Sequence, residues 1–93
     1  MIGSFGNKET KKIFDGLVSK RLPRDIQDIA RRKLRQIDAS EVLNELRVPP
    51  GNRLETLSGN RLGQYSIRIN QQWRISFTWD DGRAENVEIC DYH

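Results

Sequence analysis

Apolar residues recur every three or four positions in the first half of the chain and every two in the second. Residues 1–5 alternate briefly, as an edge strand does. Asn7 is placed to cap a helix over residues 8–18, with Ile13, Phe14 and Leu17 on one face. Residues 19–22 connect to Pro23, a residue that helices favour at their first position. Ile26, Ile29, Ala30, Leu34 and Ile37 follow at helical spacing, so 23–39 predicts an amphipathic helix whose other face carries Arg24, Arg31, Arg32 and Arg35. Val42, Leu43 and Leu46 predict one or two further turns, with Ser40 as their cap. Pro49-Pro50-Gly51-Asn52 ends the helical pattern.

The period then becomes two. Leu54 and Leu57 bracket a short extended segment, and Ser58-Gly59-Asn60 and Gly63 mark a turn. Tyr65, Ile67 and Ile69 alternate with Ser66, Arg68 and Asn70. After Gln71-Gln72, Trp73, Ile75, Phe77 and Trp79 alternate with Arg74, Ser76 and Thr78. Asp80-Asp81-Gly82 is a hairpin signal, and Val87 and Ile89 lie on a last strand ending near Cys90. Helices first and strands after predict an α+β class, with an antiparallel meander packed on the helices.

A chain of 93 residues without repeats or linkers is expected to form one domain, 1–93. One cysteine excludes an intramolecular disulfide, and Cys90 is expected to be a small buried hydrophobe. No apolar run nears the ~20 residues of a membrane span, and MIGSFGNKE lacks a signal peptide's apolar stretch, so the expected location is cytoplasmic, with no membrane partner. The net charge is +3, but its distribution is uneven. The segments 20–35 and 53–74 are strongly basic, whereas 80–91 is acidic. Basic stripes attract polyanions such as nucleic acid, and the plain alternative is a solvated helix face.

No phosphate-binding glycine loop is present, and a lone histidine and cysteine are too few for a transition-metal site, so no cofactor or metal is expected. What remains is a polar strand face. Glu55, Arg68, Arg74 and His93 converge in one patch if adjacent strands pair. A carboxylate, an arginine and an imidazole suffice for metal-free RNA cleavage. The carboxylate takes the proton of the ribose 2′-OH, the imidazolium protonates the leaving 5′-oxygen, and the guanidinium stabilises the phosphorane. Taken singly, each has a plain alternative: a surface carboxylate, a salt-bridge arginine, a frayed terminus. Tyr65, Tyr92 and the tryptophans read equally as packing residues.

The stretch NRLETLSGNRLGQYSIRINQQWRISFTWDDG, with NVEICDYH at the end, resembles HigB-type toxins of the RelE/ParE superfamily, GraT-like members included. The match is specific from Pro49 onward and one of layout before it. The resemblance implies a RelE-like fold, with N-terminal helices on a curved antiparallel sheet. It implies ribosome-dependent cleavage of mRNA in the A site, and inhibition by a helix-turn-helix antitoxin of the HigA type. Arg74 matches the family arginine at the scissile phosphate. Asp91, Tyr92 and His93 match the catalytic C-terminal tripeptide. Glu55 stands where some HigB toxins have a histidine, while YoeB toxins carry a glutamate there and use it as a base. Arg68, Arg31, Arg32 and Arg35 are then expected to contact RNA, the last three as a docking surface for ribosomal RNA. The competing reading is a catalytically inactive RNA- or ribosome-binding module of the same fold.

Overall fold

The computed structural model describes residues 1–57, 59 and 63–91. Helix α1 (Lys8–Phe14) opens at Asn7, whose extended backbone lets Oδ1 accept from the Thr10 amide at 2.9 Å. It stops four residues before the expected end. Asp15 caps it and Gly16 turns left-handed (φ 90°), where an L side chain is strained. Leu17 therefore leaves the apolar stripe and is exposed, contrary to its expected place on the helix face.

Helix α2 (Arg24–Ala39) starts one residue after Pro23, which occupies the cap. Ile26, Ala30, Leu34 and Ile37 are buried along one stripe, and Arg24, Arg32 and Arg35 are exposed. Buried Gln27 ties down the connector before the helix: its Nε2 donates to the Ser19 and Leu22 carbonyls, and its Oε1 accepts from the Ser19 amide. Ser40 is the C-cap of α2 and not the cap of the next element. The 3₁₀ turn Leu43–Arg47 is instead held at its start by Glu45, whose Oε1 accepts from the Glu41 and Val42 amides. Helical structure also runs past the double proline, as a second 3₁₀ turn over Pro50–Asn52. Neither proline needs an amide donor there, so the tight turn loses no hydrogen bond.

Strands β1 (Glu55–Thr56), β2 (Gln64–Arg68), β3 (Trp73–Asp80) and β4 (Arg83–Asp91) form an antiparallel sheet in that order. The β3–β4 hairpin turns on Asp81 (φ 50°) and Gly82 (φ 81°), two left-handed residues that match the twist of the flanking strands. A bulge follows: Ser76 faces Glu88 and Thr78 faces Glu85, so β4 holds one extra residue, and Asn86 is left-handed there (φ 52°). Such a bulge bends the sheet locally. Residues 1–5 run alongside β4 through parallel bridges Ile2–Ala84 and Phe5–Val87.

Alternation decides which face of the sheet is covered. Ile67, Ile75, Phe77, Val87 and Ile89 meet Ile13, Ile26, Ala30, Leu34, Ile37 and Leu46 in one core, with Tyr65, Trp73 and Trp79 packed on its margin. Arg74, Ser76 and Ser66 therefore face away from the helices. Cys90 joins them: it pairs with Arg74, is half-buried, and its Sγ lies 3.8 Å from Ser76 Oγ. It is a polar-face residue and not the buried hydrophobe expected. Among the described residues, no helix is long and apolar enough to cross a membrane.

Candidate active site on the open face of the sheet

Arg74 is the second residue of β3, near the end of the sheet where β2 finishes. It sits mid-sheet between Arg68 on β2 and Cys90 on β4. On this face, turned away from the helices, it is 5% exposed, and Ser66 and Ser76 beside it are buried as well. Nε donates to Ser66 Oγ at 2.7 Å. Nη2 donates to the Ser66 carbonyl at 3.2 Å and the Arg53 carbonyl at 2.6 Å. Ser66 lies diagonally across the strand pair, since its direct partners are Glu55 and Ser76. Diagonal neighbours are within reach of a side chain as long as arginine.

The carbonyl of Arg53 is brought there by the turn before it. Arg53 caps Pro50–Asn52 in a left-handed conformation (φ 45°, ψ 59°), and its amide donates to the Pro50 carbonyl. Asn52 is fully buried and pins this turn. Its Nδ2 donates to Gln36 Oε1 and to the Leu46 and Val48 carbonyls, while Oδ1 accepts from Lys33 Nζ. Burial, with Arg32 alongside, holds the Lys33 ammonium below the usual lysine range.

Glu55 begins β1 immediately after this turn. Its Oε2 stands 3.9 Å from Arg74 Nη2 and its side chain is 46% exposed, so it is an ion-pair neighbour reachable by an incoming group and not a buried partner. Arg68 faces Arg74 directly in the register and is half-buried. Two like charges opposite each other repel, and an anion seated between them relieves that repulsion.

The sheet thus brings Glu55, Arg68 and Arg74 together. Asp91 lies at the end of β4, paired with Trp73, and its Oδ2 accepts from Gln72 Nε2 at 3.1 Å. Tyr92 and His93 lie outside the described residues. Arg31, Arg32 and Arg35 belong to the helical layer, across the sheet from Arg74. Arg32 and Arg35 are exposed. The Arg31 guanidinium instead reaches back to α1: Nε donates to the Ile13 carbonyl at 2.8 Å and Nη2 to the Leu17 carbonyl at 3.1 Å. Ser66, Asn52 and the backbone of Arg53 do not stand out in the sequence. The signal available is that Ser66 and Ser76 are small residues on the arginine-bearing phase of β2 and β3, where a flat guanidinium needs room.

The chain matches, over residues 3–93, the family described as RelE-like toxin of type II toxin-antitoxin system HigB. It is 48% identical over 68 residues to a HigB toxin of Vibrio cholerae, covering 73% of this chain and 72% of that one. It is 34% identical to the endoribonuclease HigB of Proteus vulgaris, covering 100% of both. The fold resembles Staphylococcus aureus YoeB in its complex with YefM (TM-score 0.62, 22% identity, 100% of this chain and 98% of that one). It also resembles a YafQ variant from E. coli (TM-score 0.58, 14% identity, 98% and 93% covered). Its match along nearly the whole length, and its two HigB relatives, show that the chain belongs to the HigB family of RelE-like toxins of type II toxin–antitoxin systems.

Proposed function

We propose that residues 1–93 act as one toxin domain in the cytoplasm, an endoribonuclease that cleaves mRNA in the ribosomal A site and is held in check by a helix-turn-helix antitoxin of the HigA type. The observation that carries the reading is Arg74, held on the open sheet face with the Glu55 carboxylate 3.9 Å away. In this reaction Glu55 takes the proton of the ribose 2′-OH, and the 2′-oxygen attacks the adjacent phosphorus. Arg74 stabilises the charge that builds on the phosphorane oxygens. His93, kept as imidazolium by the neighbouring phosphate, protonates the departing 5′-oxygen. The upstream fragment ends in a 2′,3′-cyclic phosphate, and the step needs no metal. Asp91 and Tyr92 complete the site by orienting His93 and the RNA. Arg68 binds the RNA backbone beside Arg74. Arg32 and Arg35, with Arg31 at their base, dock the opposite layer on ribosomal RNA, because phosphate contacts fix position without reading sequence.

The test is cleavage of mRNA by the purified protein on programmed ribosomes, with an all-ribose message and one carrying a 2′-deoxy nucleotide at the cut site. Cleavage of the first and not the second supports the reading. Cleavage of both excludes attack by the 2′-OH. Binding to ribosomes without any cleavage supports the inactive binding module instead.

A further inference from the structure

We propose that Ser66 and the left-handed backbone of Arg53 are positioning elements for the reaction: together they clamp the Nε–Nη2 edge of Arg74 and thereby set where its charge meets the phosphorane. This rests on the reading of Arg74 given above and adds the groups through which its position is fixed.

Three features of the geometry carry it. The first is the chemistry of the clamp. The described groups touching Nε and Nη2 at hydrogen-bond distance are a hydroxyl and two carbonyls, all neutral, while the Glu55 carboxylate stands off at 3.9 Å. Three acceptor contacts at fixed positions on one edge define the plane of a guanidinium, whose donors form a rigid fork. The second is burial. Ser66 is 1% exposed and Arg74 is 5% exposed, so water competes little for these bonds and the guanidinium plane is held before substrate arrives. The third is the backbone at Arg53, a non-glycine residue at φ 45°. A β-branched residue is a steric outlier there. That conformation aims the carbonyl at Nη2 and is itself anchored by fully buried Asn52. An unclamped arginine on a strand samples many rotamers, and catalysis is sensitive to displacements of an ångström.

The deciding experiment is single-turnover cleavage on programmed ribosomes with Ser66→Ala, Ser66→Thr, Arg74→Ala and the double variant Ser66→Ala/Arg74→Ala. Ribosome affinity is measured in parallel. Ser66→Ala is expected to slow cleavage roughly 10- to 100-fold, the scale of an ångström's misplacement, with affinity unchanged. Ser66→Thr keeps the hydroxyl on a strand-compatible side chain and restores most of the rate. In the Arg74→Ala background the serine substitution has no further effect, because Ser66 acts through the guanidinium. A purely structural serine would slow both backgrounds equally, and that result overturns the proposal, as does Ser66→Ala cleaving at the wild-type rate. If Ser66→Ala does not fold, Arg53→Gly and Arg53→Val decide. Both remove the guanidinium of residue 53, but only glycine accepts the left-handed conformation, so the valine variant should be about 10-fold slower or worse. Equal rates overturn the proposal. Arg74→Ala cleaving as fast as wild type would instead remove Arg74 from the site, and the positioning role would fall with it. An active Arg74 with an indifferent Ser66 refutes the clamp alone.

Discussion

Among the described residues, two guanidinium groups are held on backbone carbonyls, with opposite consequences. At the junction of α1 and α2, Arg31 donates to the Ile13 and Leu17 carbonyls, in and just beyond the last turn of α1, and also pairs with Asp28 at 3.3 Å. On the open sheet face, Arg74 donates to the Arg53 and Ser66 carbonyls. The first cation neutralises the negative end of a helix and pins two helices together. The second is held within the sheet surface beside the Glu55 carboxylate and opposite a second arginine. The same side chain, with the same kind of partner, is a structural strut in one place and a candidate catalytic group in the other. Its surroundings decide: the end of a helix, or a pleated surface with a standing-off carboxylate.

The comparison can be broken at several points. The largest effects are expected at the proposed base and acid, Glu55 and His93. Glu55→Gln and His93→Gln should each slow single-turnover cleavage by roughly 100- to 10,000-fold. The first should remove the acidic limb of the pH–rate profile and the second the basic limb. If Glu55→Gln cuts at near wild-type rate with its acidic limb intact, Glu55 only orients Arg74 or the RNA. Next comes Arg74→Ala, with an expected loss of about 100- to 1000-fold. Arg74→Lys should recover little, since an ammonium lacks the planar fork. Full activity in a folded Arg74→Ala protein would make Arg74 a second strut.

Arg31→Ala should do the reverse. Losing these charge-assisted hydrogen bonds between the helices should cost about 1–3 kcal/mol of stability, read as a lower urea midpoint. Cleavage per folded molecule should stay within about twofold of wild type, because Arg31 lies across the sheet from the reacting groups and surface changes remote from a site rarely reach it. A large rate loss without loss of stability would make RNA docking, and not the strut between helices, the main role of Arg31. Salt dependence sharpens the same point: Arg32→Gln or Arg35→Gln should each lower the log–log slope of ribosome binding by roughly 0.7–0.9 for every phosphate no longer neutralised. Arg31→Gln should change it less than either. The smallest effect concerns the other side of the α1–α2 junction. Ser19 Oγ donates to Glu9, and this bond, with Lys12 nearby, holds the Glu9 carboxyl below its usual range against the opposing influence of burial. The folded value is the lower one, so the contribution is present above the ordinary value of about 4.3 and is lost as pH falls through the folded value. Urea titrations between about pH 3 and pH 6, the range that spans an ordinary carboxylate, should show this decline in wild type and less of it in Glu9→Gln; identical slopes would remove the role.

How much of this was legible depended on whether the cause was local. The alternation of Ile75 and Phe77 with Arg74 and Ser76 follows from strand periodicity, so the face carrying Arg74 could be read directly. The core stripe of α2 follows the same way from helical spacing. Glu55 and Arg68 beside Arg74 needed only the assumption that neighbouring strands pair. Arg31 could not be read so. It lies on the polar side of α2 with Arg32 and Arg35, and only the placement of α1 shows where its guanidinium ends. Leu17 failed for a related reason: its spacing fits the α1 stripe, but Gly16 ends the helix first. Ser66 depends on a diagonal contact set by register, and the Arg53 carbonyl on a left-handed cap that has no glycine to announce it.

The sheet also has consequences for self-association. Strand β1 consists of two residues, one of them charged, and the opposite margin at β4 is partly screened by residues 1–5 through two bridges. Long, flat, unpaired strand edges recruit other chains by backbone hydrogen bonding, and short or charged edges discourage it. Margins of this kind disfavour edge-to-edge growth into aggregates. Lengthening β1 with apolar residues is therefore a route to insolubility that leaves every site residue in place.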